Sequence, residues 1–315
     1  MSSDNPTDRT ERGLVRRATA LVVAAGLLAV TLTGCSSDPN ANCDTALTSG
    51  TASNLITATG AVGSKPKISF PTPIDTTTSQ ATTLVTGKGD KVQKGQMVEI
   101  QYTLLDGESG STIGQSSFAK SQPTLIPVGK SGVPGIDKGL QCATVGSRVA
   151  IAIAPKDSGQ DGTTSSGVAV IDVVGSFLPR ANGAVRPSVS GFPTVVLAPT
   201  GQSGITIPSG GAPTKVRSET LKAGDGATVK SDSSVVLHYT MVAWENKNLV
   251  YSTWNSGAPD LVLMKTGQSN ANQVLPQAML KELVGAKVGS QLVIETPADS
   301  SVPAGAWVVD VLGVL

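Results

Sequence analysis

The chain has 315 residues, 39% of them hydrophobic, 15% charged and 3% aromatic, which is apolar enough for one or two globular cores. Lys plus Arg number 24 and Asp plus Glu 23, and outside the seven charged residues of the first 17 positions the two balance at 20 each. That neutrality excludes the basic footprint of a nucleic-acid binder, while 35 glycines and 19 prolines indicate many turns.

At the start of the chain Arg9, Arg12, Arg16 and Arg17 precede the uncharged run ATALVVAAGLLAVTL, Ala18 to Leu32, which reads as an export signal. Its 15 residues fall short of the roughly 20 needed to cross a bilayer, so a retained transmembrane helix is the weaker reading. The adjoining LTGC, Leu32 to Cys35, resembles the lipobox of bacterial lipoproteins. It implies that residues 1–34 are a signal peptide, and that Cys35 becomes the acylated first residue on the outer face of a membrane. Each buried methylene of such an anchor contributes about 0.8 kcal/mol. Arg16-Arg17 is a poor match to a twin-arginine signal. With Cys35 lipidated, Cys43 and Cys142 remain, and in an oxidising compartment they are expected to form a disulfide, two free thiols being the alternative.

Further along, the sequence repeats itself. TGKGDKVQKGQMVEIQYTL, ending at Leu104, pairs with KAGDGATVKSDSSVVLHYTMV, ending at Val242, so that Gly87, Gly89, Val92 and Tyr102 meet Gly224, Gly226, Val229 and Tyr239. Val145-Gly146-Ser147 then meets Val288-Gly289-Ser290, and Val170 to Val173 meets Val308 to Val311. Short Val-, Ile- and Thr-rich runs read as strands: VEIQYTLL, RVAIAIA and VAVIDVV in the first copy, VVLHYTMV, QLVIETP and WVVDVLGVL in the second. TTTSQATT, from Thr76, reads as a polar strand edge or loop. One stretch per copy looks helical: GIDKGLQCA from Gly135, and LPQAMLKELVG from Leu275, where Leu275, Met279 and Leu283 share a face. The pattern predicts an α+β fold, two domains each with a curved antiparallel sheet wrapped on one short helix. The boundaries read 35–64 for a lipidated tether, 65–179 for the first domain, 180–191 for a Pro- and Gly-rich linker and 192–315 for the second domain.

In duplicate, the order of a Gly-rich lead-in, a strand carrying Tyr-Thr, a loop, a Val-containing turn before a helix, Val-Gly-Ser, a strand ending near Pro and a closing apolar strand resembles the FKBP family of peptidyl-prolyl isomerases. LVGAKVGSQLVIETP with VPAGAWVVDVLGV, and GIDKGLQCATVGSRVAIAIAP, carry the resemblance most closely. It implies a dry apolar cup for a proline ring, needing neither cofactor nor metal. A barrier of about 18–20 kcal/mol, set by amide resonance, is lowered where the less polar twisted amide is favoured.

The resemblance assigns Tyr102 and Tyr239 to the cup wall and turns His238, the only histidine, to the opposite face of its strand. The alternative makes both tyrosines ordinary core residues. A hydrolase built on His238 is disfavoured because the first copy has Gln101 there. Carried across position by position, the front of the helix is Val133 in copy one and Val274-Leu275 in copy two, and the floor is Ile136 and Met279. The place after the central loop is Ile113 and Val250, the next Gly114 and Tyr251, the last strand Ile171 and Val309, and Val302-Pro303 survives in copy two. Aromatic floor, acidic partner and late tyrosine are absent at these positions. Copy two keeps more of the pattern and is expected to carry the chemistry through Tyr239, Val250, Tyr251, Val274, Leu275, Met279, Val302 and Val309. The partners implied are proline-containing segments of exported proteins and the membrane, reached through Cys35. The competing reading is a degenerate chaperone or protein-binding module, for which Trp244 and Trp254 could form a partner surface.

Overall fold

The computed structural model describes residues 43–315; the signal segment and Cys35 lie outside them. The first half opens with α1 (Thr51–Asn54) and the pair β1 (Thr57–Thr59) and β2 (Lys67–Ser69). There follow β3 (Gln80–Val85), β4 (Met97–Asp106), β5 (Thr112–Gln115), β6 (Thr124–Pro127), α2 (Pro134–Leu140), β7 (Arg148–Ile153) and β8 (Gly167–Ser176). The second half holds β9 (Ala184–Val185), β10 (Thr194–Leu197), β11 (Ser203–Thr206), β12 (Arg217–Ala223), β13 (Ser234–Ala243) and β14 (Leu249–Ser252). It closes with α3 (Thr253–Ser256), β15 (Asp260–Leu263), α4 (Gln277–Lys281), β16 (Gln291–Thr296) and β17 (Gly305–Val314).

Two large antiparallel sheets result, beside the two-stranded pairs β1–β2 and β10–β11, and the large ones repeat each other. One runs β3-β7-β8-β4-β5 with β6 beside β4; the other runs β14-β13-β17-β16-β12-β9 with β15 beside β13. Register agrees in detail: Tyr102 faces Ile171 across β4–β8 as Tyr239 faces Val309 across β13–β17. Gly87 and Gly224 are required at one equivalent place, because a Cβ there would overlap the carbonyl oxygen of Val145 or Val288. The α+β expectation therefore holds, with the helical part shorter than predicted: α4 has five residues, and the four-residue α1 and α3 were not anticipated.

Alternation places one side of each strand in a core. Val98, Ile100, Ile151, Ile171 and Val173 pack with Ile136 and Leu140 of α2, and Leu237, Tyr239, Ile294, Val309 and Val311 pack with Met279 and Leu283. The opposite faces are apolar too, with Ala150, Ala152, Val168 and Val170 in the first sheet and Val242 and Ala306 in the second, so they require covers. Ala52, Ile56 and Ile74 cover the first, and Ile205, Ile207 and Trp244 the second.

That need corrects two expected boundaries. The described part of the 35–64 tether is folded onto the first sheet, held by a Cys43–Cys142 disulfide with Cα atoms 5.7 Å apart. Within it the fully buried Arg148 donates to the carbonyls of Gly60, Ala61 and Ser64 while pairing with Asp172 at 2.6 Å. The 180–191 linker likewise joins the second sheet: Ala181 N–H donates to Asp310 at 2.9 Å, and β9 pairs with the end of β12. Met97, Val236 and Leu312 form a small core shared by the two sheets, beside a hydrogen bond from Leu178 N–H to Leu312 O at 3.1 Å.

Candidate functional site

In β13, Leu237, Tyr239 and Met241 enter the core, and His238 leaves by the other face. There His238 stacks on Trp254, with ring centroids 3.8 Å apart, and its Nδ1 lies 2.8 Å from Thr253 Oγ1. Thr253 Oγ1 also accepts the Tyr239 N–H at 2.9 Å. Burial lowers the imidazole pKa from 6.5 to about 3, so the ring is neutral. The first sheet builds the same device from other atoms: Ser116 Oγ accepts the Tyr102 N–H at 3.1 Å and donates to Gln101 Oε1. His238 thus orders the strand beneath the tyrosine. Trp254 and Trp244 are committed as well, one to this stack and the other, buried, donating to Gly210 O at 3.2 Å. In this structure Trp244 is buried and Trp254 half-buried.

The expected cup of the second domain is filled. Tyr239 is 1% exposed, and Leu275, Met279, Val302 and Val309 are buried with it. Two residues not anticipated do the filling. Trp307, fully buried on β17, sits with its ring 6.1 Å from that of Tyr239 and 5.9 Å from that of Tyr251, and donates to Thr296 Oγ1 at 3.1 Å. Asp260 on β15 takes the Tyr239 hydroxyl at 2.6 Å, with the Gln273 side-chain oxygen at 3.0 Å. Burial raises the Asp260 pKa against the opposing pull of that hydrogen bond, while burial and then Asp260 raise that of Tyr239. An aromatic floor and an acidic partner therefore exist, supplied by strands instead of by the helix and the central loop. Asp260 within the apolar alternation of DLVL was the available signal. Val250 and Tyr251 remain half-buried at the margin, and Val274, 63% exposed, points outward.

The first domain differs at the positions that close the second. Ala169 stands where Trp307 does, each across from its domain's Ile151 or Ile294, and Thr124 stands where Asp260 does, across from Ile100 or Leu237. Tyr102 is half-buried, and among the described residues its hydroxyl has no hydrogen-bond partner. Around it Leu104, Ile126 and Val133 are half-buried over Ile136 and Ile171. Ile113, 67% exposed on β5, lies apart from this core, and Gly114 packs toward Leu104.

Backbone donors at the head of the helix are scarce in both copies. Leu275 N–H is spent on Gly267 O at 2.9 Å, and in the first domain Val133 N–H is taken by Ser131 Oγ at 3.2 Å while Pro134 has none. Among the described residues, the Tyr102 hydroxyl is an uncommitted donor beside an apolar surface.

Residues 88–166 match the family model described as FKBP-type peptidyl-prolyl cis-trans isomerase. No curated protein matches significantly. Among solved structures, the three FKBP domains of wheat FKBP73 share 12% identity over 75% of this chain and 94% of theirs, with a TM-score of 0.32. A peptidyl-prolyl cis-trans isomerase from Pseudomonas syringae shares 23% identity over 31% of this chain and 74% of its own, with a TM-score of 0.27. The N-terminal domain of FKBP42 from Arabidopsis thaliana shares 16% over 37% and 98%, with a TM-score of 0.29.

Proposed function

We propose that this chain, FKBP-type by the sequence of its first domain, is a prolyl isomerase whose working surface is that domain's patch around Tyr102, the second domain being a closed copy. The observation that carries the proposal is the contrast between two equivalent tyrosines: Tyr102 half-exposed with a free hydroxyl, Tyr239 buried against Trp307 and tied to Asp260. A proline ring on Leu104, Ile126, Val133 and Ile136 loses water, which favours the twisted amide. The phenol is placed to donate to a neighbouring carbonyl of the substrate. This moves the chemistry from the second copy, where the sequence pattern was fuller, to the first.

The same reading places the chain at the outer face of a membrane through a lipid on Cys35, acting on proline-containing segments of exported proteins. The disulfide at Cys43 supports a short reach. Eight residues from Cys35 to Cys43 span at most about 26–29 Å when extended, at 3.3–3.6 Å each.

A second reading, binding without fast turnover, is favoured by one observation: the Val133 N–H at the head of α2 is already taken by Ser131 Oγ at 3.2 Å, and Pro134 has none. A coupled proline-peptide assay on the full chain separates the two. Isomerisation should quicken with wild-type protein, fall at least about tenfold in Tyr102→Ala, and persist in Tyr239→Phe. Absence of any acceleration, with peptide binding retained, would select the binding module.

A further inference from the structure

The two sheets treat one equivalent edge differently. In the first, the outer edge of β3 is occupied by the chain's own residues 47–53: Ala81 N–H donates to Thr48 O at 3.0 Å, Leu47 N–H donates to Lys138 O at 3.2 Å, and the Gln80 side-chain carbonyl accepts from Ala52 N–H at 2.9 Å. Leu47 packs against the core, and Ala52 lies buried on the outer face. A non-helical stretch, residues 47–50, followed by the short helix α1 thus wraps the edge and presses an aliphatic side chain inward.

The register of β12 on β16 reproduces that of β3 on β7, including the bulge. Ser218 faces Ile294 as Ala81 faces Ile151, and the irregularity falls between Thr220 and Lys222 as it does between Thr83 and Val85. Ser218 and, two residues on, Thr220 therefore present N–H and C=O outward, as Ala81 does. No described segment takes these groups. β9 pairs only with Lys222 and Ala223, and Arg186 N–H reaches only Leu221 O. Residues 186–193 pass nearby without closing the edge, tied to Arg217 of β12, which binds Glu295 at 2.7 Å and Gly191 O at 3.1 Å and lies over the Phe192 ring. Between this segment and β12 lies a groove of about 710 Å³, lined by Val185, Val189, Phe192, Leu197, Thr220 and Val293 among others. Thr220 is exposed, and so are Val185, Val189 and Leu197.

We propose that the outer edge of β12 is a strand-addition site that takes an extended segment of a partner polypeptide, with an aliphatic residue followed by small ones, in the manner of residues 47–50 on the first sheet. Backbone hydrogen bonds to Ser218 and Thr220 supply the attachment and the groove receives the side chains, the way exposed edges bind added strands. The site does not depend on the prolyl surface. The occupant's chemistry is taken from the segment that fills the equivalent edge.

The probe is a fluorescent synthetic peptide with the sequence of residues 44–55, DTALTSGTASNL, titrated into the full chain with its disulfide intact. Saturable binding, weakened at least about tenfold by Thr220→Pro, is expected, since proline removes an outward N–H without breaking the ladder to β16. Because that variant could misfold, amide exchange in the wild-type chain is the second readout: Ser218 and Thr220 should be protected when peptide is added. Absence of saturation overturns the proposal, as does protection confined to other strands or self-association of the chain through this edge.

Discussion

His238→Gln isolates one titration in an otherwise undisturbed strand. The substitution installs the residue that the first domain uses at the equivalent position, Gln101, whose side-chain oxygen meets Ser116 as His238 Nδ1 meets Thr253. The imidazole has its ordinary value of 6.5 in the unfolded chain and about 3 in the fold. A histidine with a depressed folded value contributes its full stability above the unfolded value and loses it as pH falls toward the folded one. The linkage relation gives a loss of about 2 kcal/mol between pH 7.5 and pH 5. Glu99, Asp260 and Asp310, all raised by burial, shift stability in the opposite sense over overlapping pH, so the test is the difference between wild type and variant. Urea unfolding of both at several pH values should show that difference shrinking or reversing by about 2 kcal/mol as the medium is acidified. Parallel curves across that range would refute the claim that His238 is sealed and neutral.

Two further substitutions probe the covers. Arg148→Ala strips a fully buried guanidinium from Asp172 and from the loop at Gly60 to Ser64, and should cost about 3–5 kcal/mol in denaturant unfolding, as loss of one partner of a buried pair does. Cys43→Ser together with Cys142→Ser opens a crosslink with a sequence separation of 99, for which the chain-entropy relation gives about 4–5 kcal/mol. In that variant, proteolysis should reach residues 43–59 before either sheet.

What the sequence revealed is what repeats locally. The β4 and β13 tyrosines, the glycines under Val145 and Val288 and the alternating apolar strands could be matched because each is fixed by its own few neighbours. Asp260 and Trp307 escaped notice because their meaning depends on register: only pairing with Leu237 brings Asp260 to the Tyr239 hydroxyl, and only the β16–β17 alignment sets the indole beneath that ring. The covering segments were missed for another reason. The apolar side chains of residues 50–74 are scattered among turn residues, and their burial follows from the outward Ala and Val of β7 and β8, a property of the sheet they cover. Of the residues matched for a cup in the second copy, Tyr239, Leu275, Met279, Val302 and Val309 lie in the core, since matched positions report similarity of packing before they report an opening.

Backbone chemical-shift mapping with a short Xaa-Pro peptide on the full chain tests the central claim most directly. The account predicts saturable perturbations clustered at Tyr102, Leu104, Ile126, Val133 and Ile136, with Tyr239 and Met279 silent. Perturbations centred on Tyr239, Tyr251 and Val274, with the first domain unmoved, would contradict it.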